Sequence, residues 1–478
     1  MLRAQFNFGP SGKMMDFPAL EDSEPQDPAL HRATSATRRA QGDELGALAH
    51  LIAAEALEAN AAECGSNAAM RICNVATGYF MKGEHDVAAR WYRLALVLAP
   101  QLAIAWQNLA VIHAYAGQDR AAADCRERAY RIQRVFIESA DDATDELPRV
   151  LILCVARAAG NVPLEILFPT DSCCRIKYAI DYAAIDEDEN LPPYDLVFNA
   201  IGDPDVAAPL SERLQRFVAR CQRPLLNRPE AVTRSGRQRM AELFGAIDDV
   251  CLPPCLRIAS PPKNDEDAVA GAVLGAGVGT WLSSAGIAFP VLVRPAASHG
   301  GVGLTRCENL AALTEHLASC HGSHYLSAFC DSRGADGYYR KYRIIYIDRE
   351  PYPYHLAISS HWMVHYFSAE MTDNPERIAE ERRFLEDPST VLGARAMAAI
   401  SAIGQRLDLD YAGIDFTLLP DGRVLLFEAN ATMLVHRERS NGLLAHKTPH
   451  VQRIVDAFLR LQGELVEKNI MTGPRVTR

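Results

Sequence analysis

YAGIDFTLLPDGRVLLFEAN, residues 411–430, is the stretch on which the fold turns. Asp421-Gly422 stands between two apolar runs, a strong hairpin signal that predicts a two-residue turn with positive φ at both positions. Folding the chain about that turn pairs Pro420 with Arg423 and brings Asp415 directly opposite Glu428. Asn430 lies two residues beyond Glu428 and so shares its face. The other face, Ile414, Phe416 and Leu418 against Leu425, Phe427 and Ala429, is wholly apolar and belongs to a core. Like charges directly across a ladder repel, so the acid pair calls for a compensating cation. Three oxygen ligands of this kind, with room for water and phosphate oxygens, suit Mg²⁺. The plain alternative is a pair of solvated acids at a sheet end.

The chain around this hairpin has 478 residues, more than one core usually supports, so two to four domains are expected. Its composition, 49% hydrophobic and 23% charged, is that of a globular protein. A formal net charge of −11 argues against a general nucleic-acid binder, which needs a basic surface. The 12 cysteines are scattered singly, apart from Cys173-Cys174 and the Cys251/Cys255 pair in CLPPC. That scatter predicts reduced thiols in a cytoplasmic protein, with no second pair at zinc spacing. No run is long enough to span a bilayer, and the first 30 residues have no apolar core of a signal peptide. Their Pro, Ser, Asp and Glu content predicts a disordered leader over residues 1–35.

Between Ala69 and Arg134 the sequence repeats itself at a 34-residue offset. Ala76 matches Ala110, Ala88 matches Ala122 and Ala95 matches Ala129, while Gly83 and Gly117 fall at turns between helices. Tyr79 is matched by His113, and Pro100 closes the first unit. Residues 42–62 form a strong helical pattern that can supply a degenerate preceding unit. The period resembles the tetratricopeptide repeat, a helix–turn–helix unit, with Trp106, Asn108, Leu109 and Ala110 at that motif's first-helix positions. The helical repeats are placed over 36–140. Such an array offers a concave surface for a peptide or protein partner, or a scaffold for packing or dimerisation. The acidic stretch 141–147 reads as a linker.

From Arg149 short buried strands alternate with helices: 150–156 and 194–202 read as strands and 211–221 as a helix, which predicts an α/β sheet. The loop Asn199 to Asp205 lies at a strand's carboxyl end, where open α/β sheets place ligands. Further on, a buried strand (291–293) delivers Arg294 and a proline. The loop Ser298-His299-Gly300-Gly301-Val302-Gly303 follows, whose glycines let backbone N–H groups approach phosphate closely. Gly275 to Gly279 looks like a dinucleotide loop but stands between helix and strand in the wrong order. Residues 341–358 read as a second hairpin, turning at Asp348-Arg349-Glu350.

An Asp, a tight turn, then Glu-x-Asn closing an apolar strand resembles the metal-binding signature of the ATP-grasp superfamily. That superfamily includes D-alanine–D-alanine ligase, glutathione synthetase and the ribosomal-protein glutamate ligases. The resemblance covers about two thirds of the chain. It implies α plus α/β organisation: the repeat array, then a three-part ATP-grasp module with a first domain over 149–250, a lid over 251–330 and a catalytic part over 331–465, followed by a tail (466–478). It further implies ATP and Mg²⁺ as cofactors, with Asp415, Glu428 and Asn430 on the metal. Arg237, Arg294, Ser298, His299, Gly300, Gly301 and Gly303 are then placed at the nucleotide, and Arg343 at the transferring phosphoryl group. Asn199 takes a substrate position by the same resemblance.

The sequence departs from the family in three places. Arg237 and Arg294 stand where lysines are usual, exchanging point charges for planar forks. The segment 325–331, matching the strand that holds adenine, lacks the usual acid. Residues 359–371 are idiosyncratic: His355, His361, Trp362, His365 and Tyr366 cluster where relatives bind their acceptor. His361 and His365 have the i, i+4 spacing of helical metal ligands, but without a third ligand they read as substrate contacts or an aromatic cluster. The roles of His299 and His436 are not fixed by the sequence. The implied activity is ATP-dependent carboxylate–amine ligation through an acyl phosphate, on a small molecule or a peptide. Its rivals are an ATP-grasp phosphotransferase and a repeat scaffold with a decayed, non-catalytic module.

Overall fold

The computed structural model describes residues 27–58, 65–140, 147–157, 160–259, 277–298, 300–320, 322–369, 371–438 and 441–472. The chain divides into two compact units, one up to Phe136 and one from Ile137 onward. None of the helices in the described residues is long and apolar enough to cross a membrane.

The first unit is built from helices α1 (Pro28–Ala40), α2 (Glu44–Glu58), α3 (Gly65–Met81), α4 (His85–Leu98), α5 (Ala103–Tyr115) and α6 (Asp119–Ile132). Helix α1 starts at Pro28 with Asp27 as its N-cap, accepting from Ala29 N, so the leader expected over 1–35 does not reach beyond residue 27. Proline at the first helical position and a capping carboxylate explain that start. The alanines matched at 34 residues, Ala76, Ala88, Ala95, Ala110, Ala122 and Ala129, are all at most 3% exposed; small side chains let neighbouring helices approach. The two interhelical turns are closed alike. Gly83 (φ 82°) and Gly117 (φ 69°) are left-handed, and Glu84 N bonds Tyr79 O while Gln118 N bonds His113 O. Helices α1 and α2 supply a third pair, which the two repeats need to bury a continuous core.

Three sheets make up the second unit. The first has the order β1-β3-β2-β4-β5, from β1 (Val135–Glu138), β2 (Arg149–Cys154), β3 (Cys174–Ala179), β4 (Leu196–Asn199) and β5 (Leu225–Leu226). The division between the units falls inside β1. Strands β2 to β5 run parallel, and the residues of β4 are fully buried, as expected of strands covered on both faces. Strand β6 (Val250–Cys251) is followed by β7 (Cys255–Ala259), β8 (Val291–Pro295), β9 (Thr305–Cys307) and β10 (Ser323–Ala328), the last four forming an antiparallel sheet ordered β7-β10-β8-β9. Residues 277–284 are helical, which disposes of the described part of the 275–279 loop. The third sheet runs β12-β11-β13-β14-β6, with β11 (Tyr339–Ile347), β12 (Glu350–Ser359), β13 (Tyr411–Leu418) and β14 (Val424–Asn430). The C-terminal helix runs on to Thr472, so the tail begins after that residue rather than at 466.

The decisive hairpin keeps the expected pairing by a different route. Only Gly422 has positive φ (83°), and Gly422 N bonds Leu419 O while Leu419 N bonds Arg423 O. Proline at the second position and a left-handed glycine at the fourth make a longer turn than the two-residue one expected. That slips the ladder by one, to Leu418–Val424 and Phe416–Leu426, and a bulge between Asp415 and Phe416 restores Asp415 opposite Glu428. Ile414, Phe416 and Leu418 therefore face Ala429, Leu426 and Val424, not Leu425 and Phe427. The two-residue turn with positive φ at both positions occurs instead at Asp348 (49°) and Arg349 (69°), between β11 and β12.

Candidate active site

Four adjacent strands of the third sheet carry one continuous row of side chains. Arg343 on β11 pairs with His355 on β12 and with Asp415 on β13, and Asp415 pairs with Glu428 on β14. Directly paired residues share a face, so imidazole, guanidinium and two carboxylates lie side by side.

The cations that the acid pair calls for come from the chain itself. Arg343 donates from Nε to Asp415 Oδ1 at 2.6 Å and from Nη2 to Oδ2 at 2.8 Å. Lys341, two residues earlier on the same face of β11, places Nζ 3.2 Å from Asp415 Oδ2. Glu428 is met by the Arg237 guanidinium and, at 3.5 Å, by Arg294 Nη1. Burial of the Asp415 side chain, which is 5% exposed, would raise its pKa. The charges of Arg343 and Lys341 outweigh that and hold it well below the usual carboxylate range. Burial lowers the pKa of Arg294, against the pull of Glu428. His355 is kept neutral by burial and then by the nearby Arg343 and Lys447.

Asn430 donates from Nδ2 to Glu428 Oε1 at 2.6 Å, while its Oδ1 accepts from Thr432 N and Oγ1. Among the described residues no three His, Cys, Asp or Glu side chains gather to hold a metal ion; the expected set reaches three oxygens only through the Asn430 amide. Two carboxylates and an amide are hard oxygen donors suited to Mg²⁺. The guanidinium and ammonium groups on Asp415 and Glu428 occupy the place of a cation, so the donor set fits that ion chemically once they yield.

In front of Glu428 opens a cleft lined by elements from all three sheets of the second unit. The loop after β4 supplies Asp203 and the short helix Pro204–Ala207 that follows supplies Asp205, the turn before the short helix Arg237–Arg239 supplies Ser235 and Gly236, β8 and its loop supply Pro295, Ala297 and Ser298, and β10 supplies Tyr325. Asp205 ties the walls together: it accepts from Tyr325 Oη at 2.9 Å and from Ala297 N at 3.2 Å, with Arg257 at 3.4 Å. Arg294 donates from Nε to Ser298 Oγ at 3.2 Å and from Nη2 to the Ser298 carbonyl, fixing the start of the glycine-rich loop. Gly300, Gly301 and Gly303 all have positive φ, between 63° and 79°, conformations that side chains resist.

The idiosyncratic segment meets that loop. A methyl group added to Gly300 would stand 3.8 Å from His365 Nε2, and one on Gly301 would stand 3.7 Å from Met363 Sδ. The segment is not a long helix but a bend followed by the short turn Tyr366–Ser368, so the i, i+4 reading of His361 and His365 fails. His361 is exposed, its Nδ1 accepting from Met363 N. His365 is half-buried, and burial, then Lys341 and Arg343, lower its pKa. Behind it the fully buried Glu381 accepts from Tyr366 Oη, Leu356 N and His446 Nε2. The equally buried Lys447 pairs with Glu438 and lies over the Tyr366 ring at 4.2 Å.

The structure thus brings Arg237, Arg294, Ser298, Arg343, Asp415, Glu428 and Asn430 into one region, with Gly300 beside His365. Asn199 is not part of it. Its fully buried side chain donates to Asn227 O and accepts from Ile201 N, so the amide is spent on backbone groups and cannot contact substrate. His436 braces Tyr354 Oη at 2.8 Å and Glu438 at 3.2 Å. His299 lies outside the described residues. Sequence reasoning named the Asn199–Asp205 loop and the 325–331 strand without singling out Asp205 or Tyr325, and it missed Lys341 and Glu381. Lys341 was within reach, since a strand returns to the same face every second residue.

No family model matches the chain, and no curated protein does. Among solved structures it is similar to the D-alanine–D-alanine ligase of Bacillus anthracis (13% identity, 66% of this chain and 99% of that one, TM-score 0.36). It is also similar to the RimK-domain ATP-grasp protein of Sphaerobacter thermophilus (15%, 65% and 99%, 0.38) and to the VanG D-Ala:D-Ser ligase of Enterococcus faecalis (12%, 66% and 99%, 0.39). At such TM-scores the likeness has no weight for activity, which rests on the side chains of this chain.

Proposed function

We propose that the second unit is an ATP-grasp carboxylate–amine ligase, dependent on ATP and Mg²⁺ and forming ADP. One observation carries this: Arg237, Arg294, Lys341 and Arg343 converge on Asp415 and Glu428. Against this acid pair they leave a surplus of two positive charges, which calls for a bound anion. A metal alone would add charge of the wrong sign, and a nucleotide alone would leave the two acids facing its phosphates.

Asp415, Glu428 and Asn430 would hold Mg²⁺, which when bound screens phosphate charge and fixes phosphate oxygens for transfer. Arg294 and Arg237 would turn from Glu428 to the phosphates, and the backbone N–H groups of the glycine-rich loop would close over them. Arg343 would steady charge developing on the transferred phosphoryl group as the substrate carboxylate takes it, and an amine would then capture the acyl phosphate. The chain contributes positioning, exclusion of water and fixed charge rather than a covalent step.

The helical repeats suggest a peptide or protein partner, and the thiol pattern a cytoplasmic setting. A thermal-shift titration of the full chain with Mg·ATP tests the reading: absence of stabilisation at millimolar nucleotide would overturn it in favour of a scaffold. If ATP is consumed, the mass of the product separates the ligase from a phosphotransferase, as an amide with free phosphate or a stable phosphorylated substrate.

A further inference from the structure

Lys341 enters the reading so far only as a charge beside Asp415, with no ligand of its own. It and Arg343 stand two apart on β11, on one face, and both end on a single carboxylate, that of Asp415. Their side chains are 16% and 17% exposed, so neither is free in solvent. The Arg343 fork covers both Asp415 oxygens edge-on, and a divalent cation cannot approach that edge while the fork is there. Whenever the cation takes Asp415, Lys341 and Arg343 lose their counter-charge together. Two largely buried cations cannot be left unpaired without a heavy penalty. The replacement charge must come from a ligand.

We propose that Lys341 and Arg343 form a two-cation clamp for an oxyanion of the acceptor substrate, masked by Asp415 until a metal–nucleotide complex takes that carboxylate over. This rests on the ligase reading. It adds an order to the site: the clamp is closed to anions in the empty protein and opens only when nucleotide and metal are bound. It also makes Lys341 a binding residue for the acceptor rather than for ATP.

The test uses inorganic phosphate as probe oxyanion, with binding to the full chain followed by ³¹P line broadening and calorimetry. The wild-type protein saturated with Mg·ADP should bind phosphate at least tenfold more tightly than the same protein with ADP and EDTA. Lys341→Met should weaken phosphate binding to the Mg·ADP form at least tenfold while leaving ADP affinity within about twofold, and Lys341→Arg should restore it. Acetate in place of phosphate, following the same pattern, would mark the clamp as a carboxylate site as well; acetate that ignores Lys341 would overturn that assignment to the acceptor. Equal phosphate affinity with and without metal, or unchanged affinity in Lys341→Met, would overturn the clamp with the ligase reading intact. Failure of the wild-type protein to bind Mg·ADP at all would overturn both.

Discussion

The Arg343 guanidinium lies fork-on to the Asp415 carboxylate, at 2.6 and 2.8 Å, in a setting where Asp415 is 5% exposed. Breaking a buried pair from one side leaves the other charge stranded, at a cost of about 3–5 kcal/mol. Asp415→Asn should therefore lower stability by that amount in urea unfolding of the full chain, and should abolish ADP formation. Arg343→Lys keeps the charge but loses the fork and should cost less, about 1–2 kcal/mol as one charge-assisted bond is lost. A fully stable Asp415→Asn protein would mean that the pair does not hold this part of the sheet.

Glu428 is shared between Arg237, Arg294 and Asn430. Removing its charge should act differently on nucleotide binding with and without metal. In EDTA, Glu428→Gln should bind ADP more tightly than wild type, by roughly tenfold, since two arginines lose a competitor near the phosphates. In Mg²⁺ the same variant should gain nothing further, and turnover should be lost. Calorimetry in the two buffers decides: equal weakening in both would place Glu428 outside the competition.

Asp205 joins the short helix after β4 to Tyr325 on β10 and to the Ala297 amide beside the glycine-rich loop. Each such bond is worth about 1 kcal/mol net, roughly fivefold in an equilibrium constant, so losing both exceeds tenfold. Asp205→Ala should raise hydrogen exchange of amides 291–307 by about tenfold or more and raise KM for ATP more than it changes kcat. Tyr325→Phe, which removes only one bond, should give a smaller rise. Unchanged exchange in Asp205→Ala would show that the loop is held by other contacts.

The acid pair could be read from sequence because strand periodicity and a turn signal sufficed to set Asp415 against Glu428. The turn type could not, since Pro420 and Gly422 together favour the longer loop and the bulge that compensates has no local signature. The thirty-four-residue repeat was legible for a similar reason: small residues at a fixed offset report helix contact directly. Lys341 and Asp205 escaped because their importance lies in partners 74 and 120 residues away, across sheets whose register no single segment encodes. Asn199 was placed by resemblance and by its position at a strand end, whereas its amide is bonded to backbone groups, which no local pattern reports. The i, i+4 spacing of His361 and His365, already set aside for want of a third ligand, carries meaning only where the chain is helical, and here it is not.

A last expectation concerns the first unit. His31 Nδ1 and His50 Nδ1 lie 2.9 Å apart, with Trp91 edge-on to His50 at 5.0 Å; both imidazoles are at most 8% exposed. Burial, then His31 and Arg38, lower the His50 pKa to about 4. In the unfolded chain His50 titrates near 6.5, so below that pH the unfolded state binds the extra proton and the folded state does not. Stability of α1 to α4 should be full above pH 6.5, fall as pH drops towards 4, and level off below. A shift of this size corresponds to roughly 3 kcal/mol over that window. Hydrogen exchange of the α1–α4 amides in the full chain, followed from pH 7 to pH 4 and corrected for intrinsic rates, should show protection declining by that amount. In His50→Leu the decline should flatten while the carboxylates of the unit still titrate below it. A wild-type profile with no fall between pH 6.5 and 4 would mean that the folded pair accepts a proton, and that the His31–His50 contact rearranges instead of resisting.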